Sequence, residues 1–141
     1  ANLPRWSLLG RLLDRANMTD QHSFPCGVGR NYIVIDTEGN VAKCQMDLAN
    51  SVSSIWADDP IADICGDKVG IQNPPVDTKP DCQDCEWRYW CAGGCPLLNK
   101  RVNGSYDARS PNCVVYRTLF PEVLRLEALR MLKYDQPWLP T

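Results

Sequence analysis

The sequence predicts a small α+β domain of irregular build, on three observations. Apolar residues recur at helical spacing near both ends, two short extended runs flank a turn, and the middle is broken by proline and glycine and crowded with cysteine. The chain of 141 residues suits a single domain over 1–141, long enough for a modest core and too short for a catalytic barrel with accessories.

From Pro4 onward, Leu8, Leu9, Leu12, Leu13 and Ala16 share one helical face and Pro4 suits a first turn, so an amphipathic helix is expected over about residues 4–17. Tyr32-Ile33-Val34-Ile35 is aromatic and β-branched, Thr37-Glu38-Gly39-Asn40 is turn chemistry, and Val41-Ala42-Lys43-Cys44 resumes an extended pattern. This predicts a β-hairpin ending at a cysteine, with Gly39 at positive φ aiming Cys44. Pro60, Gly66, Gly70, Pro74, Pro75 and Pro80 make the centre mostly loop, with at most a short helical stretch around Asp63 and Ile64. The last element is a helix over 118–134. Thr118 caps it, Pro121 occupies the first turn, and Val123, Leu124, Ala128, Met131 and Leu132 form a stripe widened by Leu126 and Leu129.

Charge and hydropathy exclude several classes of partner. A formal net charge of -2 argues against nucleic acid, since phosphate binding needs clustered Lys and Arg. No stretch approaches the roughly 18 consecutive apolar residues of a membrane span, and the opening lacks the succession of a secretory signal. A soluble, cytoplasmic chain without a membrane partner is expected. The polar faces of the two terminal helices mix Asp14, Glu122 and Glu127 with arginines, which suits packing or domain docking rather than lipid.

The chemistry lies in eight cysteines: Cys26, Cys44, Cys65, Cys82, Cys85, Cys91, Cys95 and Cys113. Four form a C-x2-C-x5-C-x3-C run from Cys82 to Cys95, followed by Pro96. Close spacing lets thiolates converge on one inorganic centre. Zinc commonly takes two C-x2-C-like knuckles, and only one is present. In ferredoxin-type runs three close cysteines serve one cluster and a fourth, followed by proline, serves another. On that logic Cys82, Cys85 and Cys91 need one distant thiolate, Cys95 joins other distant ones, and Cys113, Cys26 and Cys44 are the recruits. A structural zinc site and a disulfide-stapled extracellular domain stay open as alternatives at this point.

The order Cys26, twelve residues, Gly39, four residues, Cys44, then the four-cysteine run and Cys113 resembles the seven-cysteine signature of SPASM domains over residues 26–113. These are the C-terminal auxiliary-cluster domains of radical S-adenosylmethionine enzymes that modify peptides and proteins. The resemblance implies a cluster-nucleated fold with two 4Fe-4S clusters, the first on Cys26, Cys44 and Cys95, the second on Cys82, Cys85, Cys91 and Cys113. Cys65 lies outside the shared signature and is a possible extra ligand. The texture of Trp87-Arg88-Tyr89-Trp90 and Ser110-Pro111-Asn112-Cys113 is similar to that of maturases of ribosomally made peptides.

Radical chemistry in that family starts at a C-x3-C-x2-C loop, which is missing here: Leu98 stands where a third thiolate would follow Cys91 and Cys95. The chain alone therefore cannot cleave S-adenosylmethionine, and the resemblance implies a barrel carrying that loop before Ala1. The expected role is electron transfer and peptide-substrate positioning beside that barrel. Trp87, Tyr89 and Trp90 are expected to wall off a cluster. Gly93 and Gly94 are expected both to turn the chain and to let backbone N–H groups approach sulfur. His22, Asp81, Asp84 and Asp107 are expected to be solvated.

Overall fold

The computed structural model describes residues 3, 21–31 and 33–134, and it is an α+β chain. The helix expected at about 4–17 lies outside the described residues, as does Tyr32. A three-stranded antiparallel sheet has the order β1 (Val34–Ile35), β2 (Asn40–Ala42), β3 (Ser53–Ser54). Val34 pairs with Ala42 and Ile35 with Val41, so the expected hairpin is present, with strands shorter than the extended runs.

Its turn is a local hydrogen-bonded device. Asp36 accepts from the Glu38 and Asn40 N–H groups at 2.8 and 2.9 Å and from Asn40 Nδ2 at 2.8 Å. These bonds, the Asn40 side chain foremost, hold the Asp36 carboxyl below its ordinary range. Gly39 adopts φ +84°, and a Cβ there would stand 2.9 Å from Ile55 Cγ1, so conformation and space both demand glycine. β3 returns along β2, pairing Asn40 with Ser54 and Val41 with Ser53. Nothing in the polar Ser53-Ser54 pair announces a strand; tertiary packing overrides propensity there.

The centre holds more helix than expected. α1 (Pro60–Gly66) starts with Asp59 accepting from Ile61 and Ala62 N–H groups and with Pro60 in the first turn. α2 (Arg88–Cys91) is a single turn, and α3 (Pro96–Asn103) runs from Pro96 to a left-handed Gly104 whose N–H bonds Lys100 O at 3.0 Å. The prolines and glycines counted as breakers are here the start and stop of short helices.

α4 (Cys113–Tyr134) begins five residues before the expected Thr118. Ser110 prepares its start: the hydroxyl accepts from Asn112 N–H at 3.1 Å and the carbonyl from Cys113 N–H at 3.0 Å. Thr118 is therefore not a cap; its hydroxyl bonds Val114 O at 2.9 Å within the helix. Pro121 lies in the interior, where it cannot donate to the preceding turn. The buried line runs through Phe120, Val123 and Glu127, while Leu129, Met131 and Leu132 of the expected stripe are exposed. The reason is contact: Phe120 meets Trp87 and Trp90 at ring-centroid distances of 5.5 and 6.2 Å, and those rings decide which face turns inward.

Two buried apolar clusters organise the interior, one of Val28, Cys44, Ile71 and Leu97, the other of Val76, Cys82 and Ala92. No helix among the described residues is long and apolar enough to cross a membrane.

Candidate metal centre

The Cys82 region is built almost entirely by local chain. Successive reverse turns carry Cys82 N–H to Lys79 O, Cys85 N–H to Cys82 O and Arg88 N–H to Cys85 O at 2.9–3.1 Å. The α2 turn then presents Cys91, and the chain reverses through Ala92, Gly93 and Gly94 at φ +44°, +75° and +72°. A left-handed alanine carries strain of about 1–2 kcal/mol. Full burial of Ala92 holds it in that conformation.

The glycines serve close approach. A Cβ on Gly94 would lie 2.5 Å from Ser110 Cβ, so only glycine lets the turn rest on the residue that starts α4. That contact brings Cys113 beside the run. Trp87, Trp90, Tyr116 and Phe120 close the same side, with Tyr116 stacked on Phe120 at 5.6 Å. Tyr89 packs on the Val76–Cys82–Ala92 cluster, and its hydroxyl donates to Asp77 at 2.8 Å. Trp87, Tyr89 and Trp90 are half-buried, the two tryptophans against Phe120 and Tyr89 against the Val76–Cys82–Ala92 cluster.

The electrostatics pick out one group of thiols. Burial, aided by the Cys91, Cys113 and Cys85 thiols, pushes the Cys82 thiol up to about 11 against the opposing pull of Lys79. Cys82 is buried, and Cys85, Cys91 and Cys113 are half-buried.

The other cysteines are placed differently. Cys44 is buried at the end of β2, where the extended strand and the following 3-10 turn (Gln45–Asn50) meet. It packs with Val28, two residues past Cys26, and with Leu97, two residues past Cys95, so the segments bearing these three cysteines converge. Asn73 Nδ2 fastens the first of them by donating to Cys26 O at 3.0 Å. Buried Lys43 pins the strand end to Asp67 at 2.8 Å and to Ile71 O at 3.2 Å. Cys26 and Cys95 are exposed. Cys65 is exposed near the end of α1, a helix tied to β3 by Ser53 and Asp63.

Among the described residues, which include all eight cysteines, there is no disulfide, and no group of three or more His, Cys, Asp or Glu is arranged so that it could hold a metal ion. Cys82, Cys85, Cys91 and Cys113 are four soft thiol donors from one loop and one helix start, the donor type that iron–sulfur clusters take. Asp81, Asp84 and Asp107 are exposed, as expected.

Sequence reasoning passed over Lys79, which is completely buried beside this group with Nζ on Tyr106 O at 2.7 Å. A lysine next to Pro80 carries no sequence signal of burial. It also passed over α3, which the Pro96 to Gly104 spacing could have revealed. No protein-family model, no curated protein and no solved structure matches the chain.

Proposed function

We propose that this chain is an auxiliary-cluster module of SPASM type, holding one 4Fe-4S cluster on Cys82, Cys85, Cys91 and Cys113 and another on Cys26, Cys44 and Cys95, with Cys65 a candidate extra ligand. One observation carries the proposal: Cys82, Cys85 and Cys91 lie on one run of reverse turns whose closing Gly94 packs on Ser110, three residues before Cys113, while Cys95 stands exposed at the start of α3. The convergence of the Cys26, Cys44 and Cys95 segments on the Val28–Ile71–Leu97 cluster supports the second ligand set. Bound there, iron and sulfide supply one-electron redox chemistry.

The chain's own contribution is to hold thiolates, exclude water and fix position. Trp87 and Trp90 join the run to Phe120 of α4, and the Gly94–Ser110 contact fixes the start of the helix that carries Cys113. In the parent enzyme the module passes electrons to or from a radical S-adenosylmethionine cluster on a separate barrel and helps to seat a peptide substrate for post-translational modification. Cleavage of S-adenosylmethionine belongs to that barrel, since the C-x3-C-x2-C loop is missing from this sequence.

Anaerobic purification with iron, sulfide and zinc quantification tests the proposal. Equimolar iron and sulfide with visible charge-transfer absorption supports it. Colourless protein carrying zinc, or thiols recovered as disulfides, overturns it.

A further inference from the structure

Lys79 is the most fully buried charged side chain in the described structure, and its surroundings are unusual for an ammonium. Nζ donates to Tyr106 O at 2.7 Å, and among the described residues no carboxylate lies at ion-pair distance from it. Lys43, the other buried lysine, has such a partner in Asp67 at 2.8 Å. Withdrawing a cation from water costs several kcal/mol, and burial pulls the Lys79 ammonium below its ordinary value against the opposing Cys82 thiol, Asp107 carboxylate and Cys91 thiol.

The packing around Lys79 ties it to the cysteine run. Its own carbonyl accepts from Cys82 N–H at 2.9 Å, which sets its backbone at the foot of the cysteine run. Its stem passes under Gly93, two residues after Cys91, so closely that a Cβ there would stand 2.7 Å from Cδ and 2.9 Å from Cε. Buried Asn99 fixes this arrangement from behind, donating to Gly93 O at 2.8 Å and to Ala108 O at 3.0 Å, two residues past Lys79's own acceptor. Lysine, glycine turn and cysteine run thus form one packed unit.

We propose that Lys79 is a positioning residue for the Cys82 centre, a fixed buried cation that compensates its thiolates and raises its reduction potential. The inference rests on the iron–sulfur reading above. A cation close to a cluster favours the reduced state, which carries one more negative charge, and burial prevents water from screening the interaction.

The test is an EPR-monitored redox titration of anaerobically reconstituted wild-type, Lys79→Met and Lys79→Arg proteins, with the Cys82-centre signal identified by its loss in Cys113→Ala. Lys79→Met is expected to lower the reduced-to-oxidised ratio of that signal about tenfold at a given ambient potential, a shift of about 59 mV for one electron. Lys79→Arg is expected to stay near wild type, and the other signal not to move. If Lys79→Met takes up no iron at the Cys82 centre while Lys79→Arg does, charge is again the requirement and the proposal stands. Equal potentials in wild type and Lys79→Met overturn it, as does failure of both variants to load, which would make side-chain shape the requirement. Wild-type protein that takes up no iron and sulfide instead defeats the cluster reading itself, and this inference with it.

Discussion

The Cys82 and Cys44 regions assemble their thiols on opposite plans. Around Cys82, three thiols come from the ten residues 82–91, and one close packing of Gly94 on Ser110 adds the fourth at Cys113. Around Cys44, each cysteine belongs to a different stretch of chain, and the stretches are joined by the Val28–Ile71–Leu97 contacts and by Lys43 reaching across to Asp67 and Ile71. Closing short loops costs less chain entropy than closing long ones, so the first plan organises locally and the second depends on the rest of the fold. Thiols of one run thus belong to surroundings of unequal robustness. The Cys82 group is expected to order and retain metal more readily than the Cys44 group.

Breaking one group at a time gives the largest expected effect. Cys113→Ala should reduce the iron content from about eight to about four atoms per chain, leaving the Cys44 group loaded. Equal loss from both groups would show that they do not form separate centres. Removing all metal should melt the short central elements and spare much of α4, because the loop-rich centre buries too little apolar surface to order by itself. Circular dichroism before and after chelation checks this, and an unchanged spectrum would count against it.

Next in size is Phe120→Ala. Phe120 is 1% exposed and joins α4 to both tryptophans. Its truncation should destabilise the protein by about 3–5 kcal/mol in chemical denaturation, and should quicken loss of colour in air from the Cys82 side first.

A paired glycine experiment sharpens the role of close approach. Gly94 and Gly104 have similar φ, +72° and +76°, but a Cβ on Gly94 would strike Ser110 while one on Gly104 meets open space. Gly104→Ala should cost about 1–2 kcal/mol from left-handed strain alone. Gly94→Ala should cost about 1–3 kcal/mol more from overpacking. Equal melting temperatures for the two variants would show that the turn does not rest on Ser110.

The smallest effect concerns acid. Burial raises the Asp67 carboxyl, but the Lys43 side chain and the Val69 and Gly70 N–H groups outweigh it and hold the group below its ordinary value. A depressed folded pKa stabilises above the unfolded value of about 3.9, and that contribution is lost as pH falls through the folded value. Stability measured between about pH 5 and pH 3 should therefore decline more gently in Asp67→Asn than in wild type, and this decline should affect the Cys44 side. Identical acid limbs would remove Asp67 from the account.

Much of the local structure was legible. The Gly39 turn was, since Asp36, Gly39 and Asn40 satisfy one another within five residues, and the hairpin followed from it. The short helix after Pro60 and the long C-terminal helix were legible too, though α4 starts at Cys113 because Ser110, not Thr118, organises its beginning. β3 was not legible: two serines become a strand only because β2 offers an unpaired edge. The inward face of α4 was not legible either, because apolar periodicity cannot say which partners a helix will meet.

By itself the sequence determined which atoms are available for chemistry and how closely they are tethered. Residue type and spacing are covalent facts, so the thiol run, the hairpin aimed at Cys44 and the glycine-rich turn could be read directly. Only the tertiary structure decided that the start of α4 packs beside the run, which lysine lies buried under the glycine turn, and which face of α4 covers the tryptophans. Those outcomes depend on contacts between residues far apart in the chain, such as Gly94 on Ser110 and Lys79 under Gly93, and on the withdrawal of water that follows from them.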